Sequence, residues 1–307
     1  MEGITNLGGT CAINSLIQMI CRSNKLREVI LNTNLNQGTF TNELKEIIDL
    51  LYNQKKSINP MKFINNFYIT FKGIFNRFEQ IDISELWFYI FDKIHEETSI
   101  PINTINLNDY DNKIALYNNY KTSDILNLVQ GSFINVIECL NCYHKSHSFE
   151  PFITIDVDIE DNKSIADLVM LCLKDEIRNS DEWKCENCNG NHNYLKTKKL
   201  CKLPEILLIS LKRFNDINNK NNLDVYVNEQ LIFNIDNNKI IYNLGSIGLH
   251  YGNLQGGHYM SICNINNESY NLYNDEFVKV INKNDLNQNY LKNNNAYLIL
   301  YELNRYL

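Results

Sequence analysis

Near its start the chain carries the stretch GITNLGGTCAINSLIQ, residues 3–18, in which a turn-rich segment leads into a predicted helix. Glycine, asparagine and threonine in the first half favour turns, whereas Ile13, Leu16 and Ile17 in the second half follow helical spacing. Cys11 is therefore predicted at the N-terminus of a helix, where the helix dipole favours a thiolate. A single cysteine in a helix more often has a structural role, and a nucleophile also needs a base and a residue that orients the base.

The candidate base is His258, which follows Gly257 at the start of a predicted strand. Gly257 would leave space above the imidazole for an extended peptide, which makes it a candidate substrate contact. The next predicted strand ends near Asn274 and Asp275, and antiparallel pairing would bring one of them beside His258. Either side chain could accept the Nδ1 proton, so that Nε2 faces the thiol. On spacing alone, a hairpin with an exposed histidine is an equally good interpretation.

The periodicity of apolar residues divides the chain into a helical first part and a strand-rich second part. Helices are predicted after Cys11 and over residues 41–53, 84–97 and 165–177. Strands are predicted over residues 153–159, 206–212, 257–264, 269–274, 277–281 and 296–303. This order of elements is typical of an α+β protein.

Length, charge and hydropathy limit the classes of protein to consider. A chain of 307 residues is near the upper limit for one hydrophobic core. The net charge of −7 argues against nucleic acid as the main partner, because phosphate binding requires a basic surface. No apolar run approaches a membrane span, and the start does not resemble a secretory signal. We therefore expect an intracellular protein, cytoplasmic or nuclear, that is a monomer and has no membrane partner.

Nine cysteines, an odd number, in a chain without a visible export signal indicate reduced thiols. Four of them form two C-x-x-C pairs, Cys139 with Cys142 and Cys185 with Cys188. Two such pairs predict one structural zinc ion with four thiolate ligands, held at the tips of two long hairpins. Disulfides are the alternative, which a reducing compartment disfavours. Replacement of a cysteine by a nearby histidine is a minor alternative that involves His144, His147 or His192.

Five motifs, in this order along the chain, resemble those of the ubiquitin-specific proteases. Residues 3–18 are similar to the cysteine box of that family, and QIDISEL (80–86) and LPEILLISLKRF (203–214) resemble its next two motifs. The histidine box and the closing strand of the family are matched by LHYG (249–252), GHY (257–259), LYNDEFV (272–278) and AYLILY (296–301). The resemblance implies a papain-like cysteine protease fold with thumb, palm and fingers.

The resemblance also implies one catalytic domain over residues 1–307 and a division of it. The helical thumb would occupy about residues 1–127. About residues 128–215 would be mostly fingers and would carry the zinc knuckles, and the strand-rich palm would occupy about residues 216–307. The zinc would be structural, and no catalytic cofactor is expected.

Individual roles follow from the resemblance. Cys11 would be the nucleophile, His258 the general base, and Asn274 the residue that orients His258, with Asp275 assisting. The Asn6 side chain would help to bind the oxyanion, since an amide can donate to developing negative charge.

Two acidic residues at a predicted helix start, Asp82 and Glu85, have two interpretations that are compatible. They would stabilise the helix N-terminus through its dipole, and they could pair with the arginines of the ubiquitin tail. His250, in the histidine box, is interpreted as structural.

The implied activity is thiol-dependent hydrolysis of isopeptide or peptide bonds after the C-terminal glycine of ubiquitin, with ubiquitin and ubiquitinated proteins as partners. Two alternatives stay open: a catalytically inactive ubiquitin-binding module, and the same hydrolysis on another ubiquitin-like modifier.

The chain departs from the family pattern at Gly9, usually Asn or Ala, and at Ala12, usually aromatic. Residues 227–233 lack the usual Phe-Pro pair, which leaves the gating of the site open.

Overall fold

A computed structural model describes residues 2–53, 57–103, 107–179, 183–214, 219–235, 238–253, 256–266 and 268–306. The boundary expected between residues 215 and 216 lies outside these ranges. Within them the chain forms helices in its first part and mainly strands thereafter, so the predicted α+β class is confirmed.

The helices lie mostly in the first part of the chain, and the one that begins at Cys11 packs among several others. Their bounds are α1 Cys11–Arg22, α2 Asn24–Leu31, α3 Phe40–Asn53, α4 Met61–Thr70, α5 Ile83–Thr98, α6 Asp109–Tyr117, α7 Asp124–Val129, α8 Ile165–Cys172 and α9 Lys283–Asn289. Ser23 caps α2 and Asp82 caps α5, each accepting backbone N–H groups that the first turn leaves unpaired. The α1 helix is buried from Cys11 to Cys21, because it lies between the other helices and the large sheet.

The strands follow one another mostly as antiparallel neighbours. Their bounds are β1 Ile100–Pro101, β2 Lys121–Thr122, β3 Gly131–Cys139, β4 Lys145–Phe152, β5 Ile155–Val157, β6 Glu176–Arg178, β7 Tyr194–Lys202, β8 Ile206–Leu211, β9 Val225–Tyr226, β10 Gln230–Ile235, β11 Asn238–Gly252, β12 Gly257–Asn264, β13 Ser269–Asn274, β14 Phe277–Asn282, β15 Lys292–Asn293 and β16 Ala296–Tyr306.

Two main sheets arise from these strands. The large one has the order β14-β13-β12-β11-β16-β8-β5, with β10 paired to β11, and its β5–β8 pair is parallel. The second is four-stranded, with the order β4-β3-β7-β6, and carries the two cysteine pairs near one end. The segment expected to be mostly fingers therefore also contributes β5 and β8 to the large sheet.

The large sheet has a hydrophobic core on each face, as the period-two alternation of its strands requires. On β8, Ile206 and Leu208 belong to the core shared with α1, α3 and α5, whereas Leu207 and Ile209 belong to the core shared with α8. Burial on both faces explains why β8 is apolar at nearly every position. In the described part of the chain, no helix is long and apolar enough to cross a membrane.

Two predicted elements are shorter by several residues in the structure. The helix predicted over residues 165–177 ends at Cys172, and Glu176–Arg178 forms β6 instead. Pairing of β6 with β7 overrides the local helical pattern there. The strand predicted over residues 153–159 is shortened to Ile155–Val157, which is the part that pairs with β8.

Candidate active site

The candidate nucleophile Cys11 is the first residue of α1. The loop before it turns at Gly8 and Gly9, whose φ angles of 90° and 71° lie in the left-handed region that glycine adopts readily. Only 3% of the Cys11 surface is exposed, and the unpaired N–H groups of the first helical turn are next to it. The predicted location of Cys11 at a helix N-terminus is confirmed.

His258, on β12, meets Asn274 at the end of β13, where the imidazole Nε2 lies 2.7 Å from Asn274 Oδ1. Because an amide oxygen only accepts hydrogen bonds, Nε2 carries the proton and Nδ1 is left for the thiol. The expectation from the sequence had these nitrogens the other way round and is wrong, because the β12–β13 pairing brings Asn274 to Nε2. The hydrogen bond to Cys11 raises the pKa of His258 to about 9 against the effect of burial, and the Asn274 bond adds to the rise.

Asp275 follows Asn274, but its carboxylate binds the cysteine segment instead of the imidazole. Asp275 Oδ2 is 3.9 Å from His258 Nε2, beyond hydrogen-bond length. Oδ1 accepts from Asn14 Nδ2 at 2.8 Å, and Oδ2 accepts from Asn6 Nδ2 at 2.9 Å. A φ of 51° takes Asp275 out of strand geometry, so the two neighbouring side chains reach different partners.

The Asn6 side chain is engaged at both ends of its amide. Its NH₂ group donates to Asp275, while Oδ1 accepts from the N–H groups of Gly8 at 2.9 Å and Thr10 at 3.4 Å. An amide NH₂ group has two hydrogens, so one donor is left for an oxyanion. Asn14 was not singled out from the sequence; its signal was its position one helical turn after Cys11 in the same motif.

Hydrogen bonds use both oxygens of the Asp82 carboxylate. Oδ1 accepts the backbone N–H groups of Ser84 at 2.7 Å and Glu85 at 3.1 Å, and Oδ2 accepts the hydroxyl of Tyr297. Asp82 therefore lies at the N-terminus of α5, as expected, and it also caps that helix, while the Glu85 side chain is exposed. Asp156 is a third carboxylate near Asp82. Burial is the main cause that raises the pKa of Asp156, and the charge of Asp82 adds to the rise.

Gly257 lies against the imidazole of His250. A Cβ atom at Gly257 would be 2.1 Å from His250 Nε2, so a neighbouring ring fills the direction of a side chain. His250 is only 2% exposed. Any contact of Gly257 with substrate therefore depends on its backbone.

The four predicted zinc ligands form one cluster, with all four Sγ atoms within 4.8 Å of one another. Cys139 Sγ is 4.0 Å from Cys188 Sγ, and Cys142 Sγ is 3.5 Å from Cys185 Sγ. Tetrahedral Zn–S bonds of about 2.3 Å require sulfur separations of about 3.8 Å, so the residues fit zinc. Hydrogen bonds from the backbone of His144 and the side chain of Asn187 lower the pKa of Cys142 to about 6, which favours a thiolate ligand.

Cys139 ends β3 and Cys142 lies in the turn that leads to β4, as expected for a hairpin tip, and the second pair precedes β7. Among the residues that the structure describes, the cluster contains no histidine, so His144, His147 and His192 are not ligands in it.

Of the departures from the family pattern, Gly9 has a local explanation. A Cβ atom on Gly9 would lie 3.2 Å from Cα of Phe78, so glycine lets the segment before α5 approach the cysteine loop. Ala12 is 1% exposed inside α1. Residues 230–233 belong to β10, which pairs with β11.

Comparisons with known proteins agree with this architecture. One solved structure with a similar fold is the SAGA Ubp8/Sgf11/Sus1/Sgf73 DUB module bound to ubiquitin aldehyde, with a TM-score of 0.80 at 21% identity. The match covers 99% of this chain and 70% of that chain. A similarity at this level of identity supports the fold.

Curated relatives extend beyond the present chain. Ubiquitin carboxyl-terminal hydrolase Usp2 of Drosophila melanogaster is 23% identical over 98% of this chain and 34% of the relative. Ubiquitin carboxyl-terminal hydrolase 2 of Homo sapiens is 25% identical over 99% of this chain and 55% of the relative. The chain thus spans about a third and about half of the lengths of these relatives. The family model described as ubiquitin carboxyl-terminal hydrolase matches residues 2–301, and the chain belongs to that family.

Proposed function

We propose that the chain is a cysteine-type deubiquitinase that hydrolyses isopeptide or peptide bonds after the C-terminal glycine of ubiquitin. The observation that carries this proposal is the meeting of Cys11, at the start of α1, with His258 and Asn274 on the distant strand pair β12–β13, with a bond of 2.7 Å between the last two. The family membership and the names of the relatives support the same substrate class.

In the proposed mechanism Nδ1 of His258, whose pKa is raised to about 9 mainly by its hydrogen bond to Cys11, holds the proton shared with the sulfur, and Cys11 Sγ attacks the carbonyl carbon of the last ubiquitin residue. His258 then gives that proton to the departing amine, and a thioester remains on Cys11. Water attacks the thioester while His258 accepts a proton, and the ubiquitin carboxylate and the free thiol are regenerated. The Asn274 oxygen accepts a hydrogen bond from Nε2–H throughout and so keeps Nδ1 directed at the Cys11 sulfur.

The negative charge of the tetrahedral intermediate needs donors near the start of α1. Backbone N–H groups of the first turn and the second amide hydrogen of Asn6 are the groups available. Asp275 assists in this proposal by holding Asn6, and Asn14 fixes the other carboxylate oxygen. The loss of one such donor typically costs about 3 kcal/mol of transition-state stabilisation.

The ubiquitin tail would enter beside the start of α5. Glu85 is exposed and is the acidic group most available to an arginine of the tail, whereas Asp82 supports the helix and adds its charge at a distance. Gly257 would contribute its backbone. The combination of carboxylates favours a basic segment of substrate.

The remaining assignments are part of the same proposal. Residues 1–307 would form one catalytic domain with the division into thumb, fingers and palm given above, working as an intracellular monomer. The zinc ion would be structural, since four thiolates leave no open coordination position for chemistry. Ubiquitinated proteins would be the partners.

A ubiquitin probe with a C-terminal propargylamide tests the proposal directly. The unmutated protein should form a covalent adduct at Cys11, identified by mass spectrometry, and Cys11→Ala should form none. A protein that binds ubiquitin without forming the adduct would be the inactive binding module. A panel of fluorogenic amides of ubiquitin and ubiquitin-like modifiers separates the remaining alternative, since a preference for another modifier would overturn ubiquitin as the substrate.

A further inference from the structure

The imidazole of His250 belongs to β11, the strand that pairs with the β12 strand of the candidate base His258. Its centroid lies 4.5 Å from the ring of Tyr259, 5.4 Å from that of Phe214 and 6.0 Å from that of Tyr297. On its remaining side the ring abuts Gly257, where a Cβ atom would be 2.1 Å from Nε2 and 2.8 Å from Cε1. Only glycine fits at position 257 while this ring is present.

The backbone of His250 is held from both sides. Its N–H group donates to the carbonyl of Asn295 at 2.8 Å, and its carbonyl accepts from Lys220 Nζ at 2.5 Å. The same ammonium donates to Asn295 Oδ1 at 3.1 Å. The ring is therefore fixed by its own strand, by a lysine and by aromatic neighbours, and it can act as a rigid support.

The ring is also uncharged. Burial, with smaller contributions from the charges of Lys220 and His258, lowers the pKa of His250 to about 4. Nδ1 of His250 has no hydrogen-bond partner among the described residues. A neutral ring can lie behind His258 without repelling the imidazolium that forms when His258 takes the thiol proton.

We propose that His250 is a positioning residue for the reaction: its ring fills the space over Gly257 and thereby fixes the start of β12, which holds His258 in place relative to Cys11. The kinetic test of this inference rests on the proposed function. The inference adds the His250 ring as a support for His258, and it assigns Gly257 a second role, which is to make room for that ring.

The test is a double-mutant cycle with His250→Ala and Gly257→Ala. Each single variant should lower kcat, on the order of ten- to a hundredfold, because both displace His258. KM should change little in His250→Ala, because that variant alters no residue assigned to substrate binding. In the double variant the added methyl group occupies the space that the imidazole vacates, so the double variant should be at least as active as Gly257→Ala alone. Two independent losses that multiply would overturn the proposal, as would an unchanged kcat in His250→Ala.

Gly256→Ala is the matched control, because a Cβ atom there meets nothing within 4 Å, and it should stay within about twofold of the unmutated kcat. Melting temperature and ubiquitin affinity are measured for every variant, and loss of both in His250→Ala would mean that the ring serves the fold alone and would refute the proposal. Alkylation of Cys11 by iodoacetamide, followed by mass spectrometry, repeats the cycle without ubiquitin. If the unmutated protein hydrolyses no ubiquitin substrate, the proposed function fails, while the alkylation rates still decide the role of His250.

Discussion

The side-chain amide of Asn6 donates to Oδ2 of Asp275 over 2.9 Å and joins the loop before the nucleophile to the turn after β13. A second bond, 2.8 Å long, ties Asn14 in the first turns of α1 to the other oxygen of the same carboxylate. The neighbouring Asn274 binds the imidazole instead. Adjacent residues thus serve different halves of the candidate site.

Replacing Asn274 by Ala should lower kcat more than it weakens ubiquitin binding. The variant removes the acceptor that keeps the His258 proton on Nε2, and loss of the orienting residue in a Ser-His-Asp triad costs about 10⁴-fold in kcat. Steady-state kinetics and ubiquitin affinity are the measurements. A small loss of kcat in Asn274→Ala together with a severe loss of kcat in Asp275→Ala would show that Asp275, and not Asn274, orients His258.

Replacing Asp275 by Ala should lower kcat by about ten- to a hundredfold through the loss of Asn6 alignment. If Asp275 acts through Asn6, the double variant Asn6→Ala/Asp275→Ala should lose about as much activity as the more damaged single variant. Kinetics of the two single variants and the double variant provide the measurement. Losses that multiply would contradict this route and point to a separate role of the carboxylate.

The raised pKa of His258 predicts a pH dependence that Cys11→Ala should weaken. A histidine whose pKa is raised from 6.5 to about 9 on folding stabilises the fold fully below pH 6.5, and this stabilisation is lost as pH rises through 9. The bond to Cys11 is its largest cause, so the His258 pKa should fall toward 6.5 in Cys11→Ala. NMR titration of the imidazole and urea midpoints across this range test the prediction. The same His258 pKa in both proteins would contradict it.

Replacing Cys185 by Ser should release zinc and lower the melting temperature, because a four-thiolate site contributes directly to folding free energy. Metal analysis of the purified unmutated protein should give about one zinc per chain. Cys201→Ser is the control, since Cys201 is an exposed thiol on β7 outside the cluster. Unmutated protein that binds no zinc when supplied with it would disprove the site.

Much of the fold is predictable from the sequence because its signals are local. The helical spacing after Cys11 and the apolar runs in β8 and β16 specify elements that the structure contains, and β12 and β13 lie where strands are predicted. Each C-x-x-C pair is equally local, and the four thiolate ligands of a structural zinc site predict that the two pairs meet. The helix predicted to continue beyond Cys172 fails because pairing between distant strands competes with local preference.

The sequence by itself determined the candidates for the chemistry, namely Cys11, His258, Asn274 and the four cysteines, through residue type and motif order. The tertiary structure alone decided which atoms meet: Nε2 of His258 with Asn274, Asp275 with Asn6, and the ring of His250 with Gly257. The physical reason is that periodicity encodes the burial of a face over a few residues. Side-chain partners depend instead on the packing and strand register of segments far apart in the chain, where one turn at Asp275 redirects two neighbouring side chains.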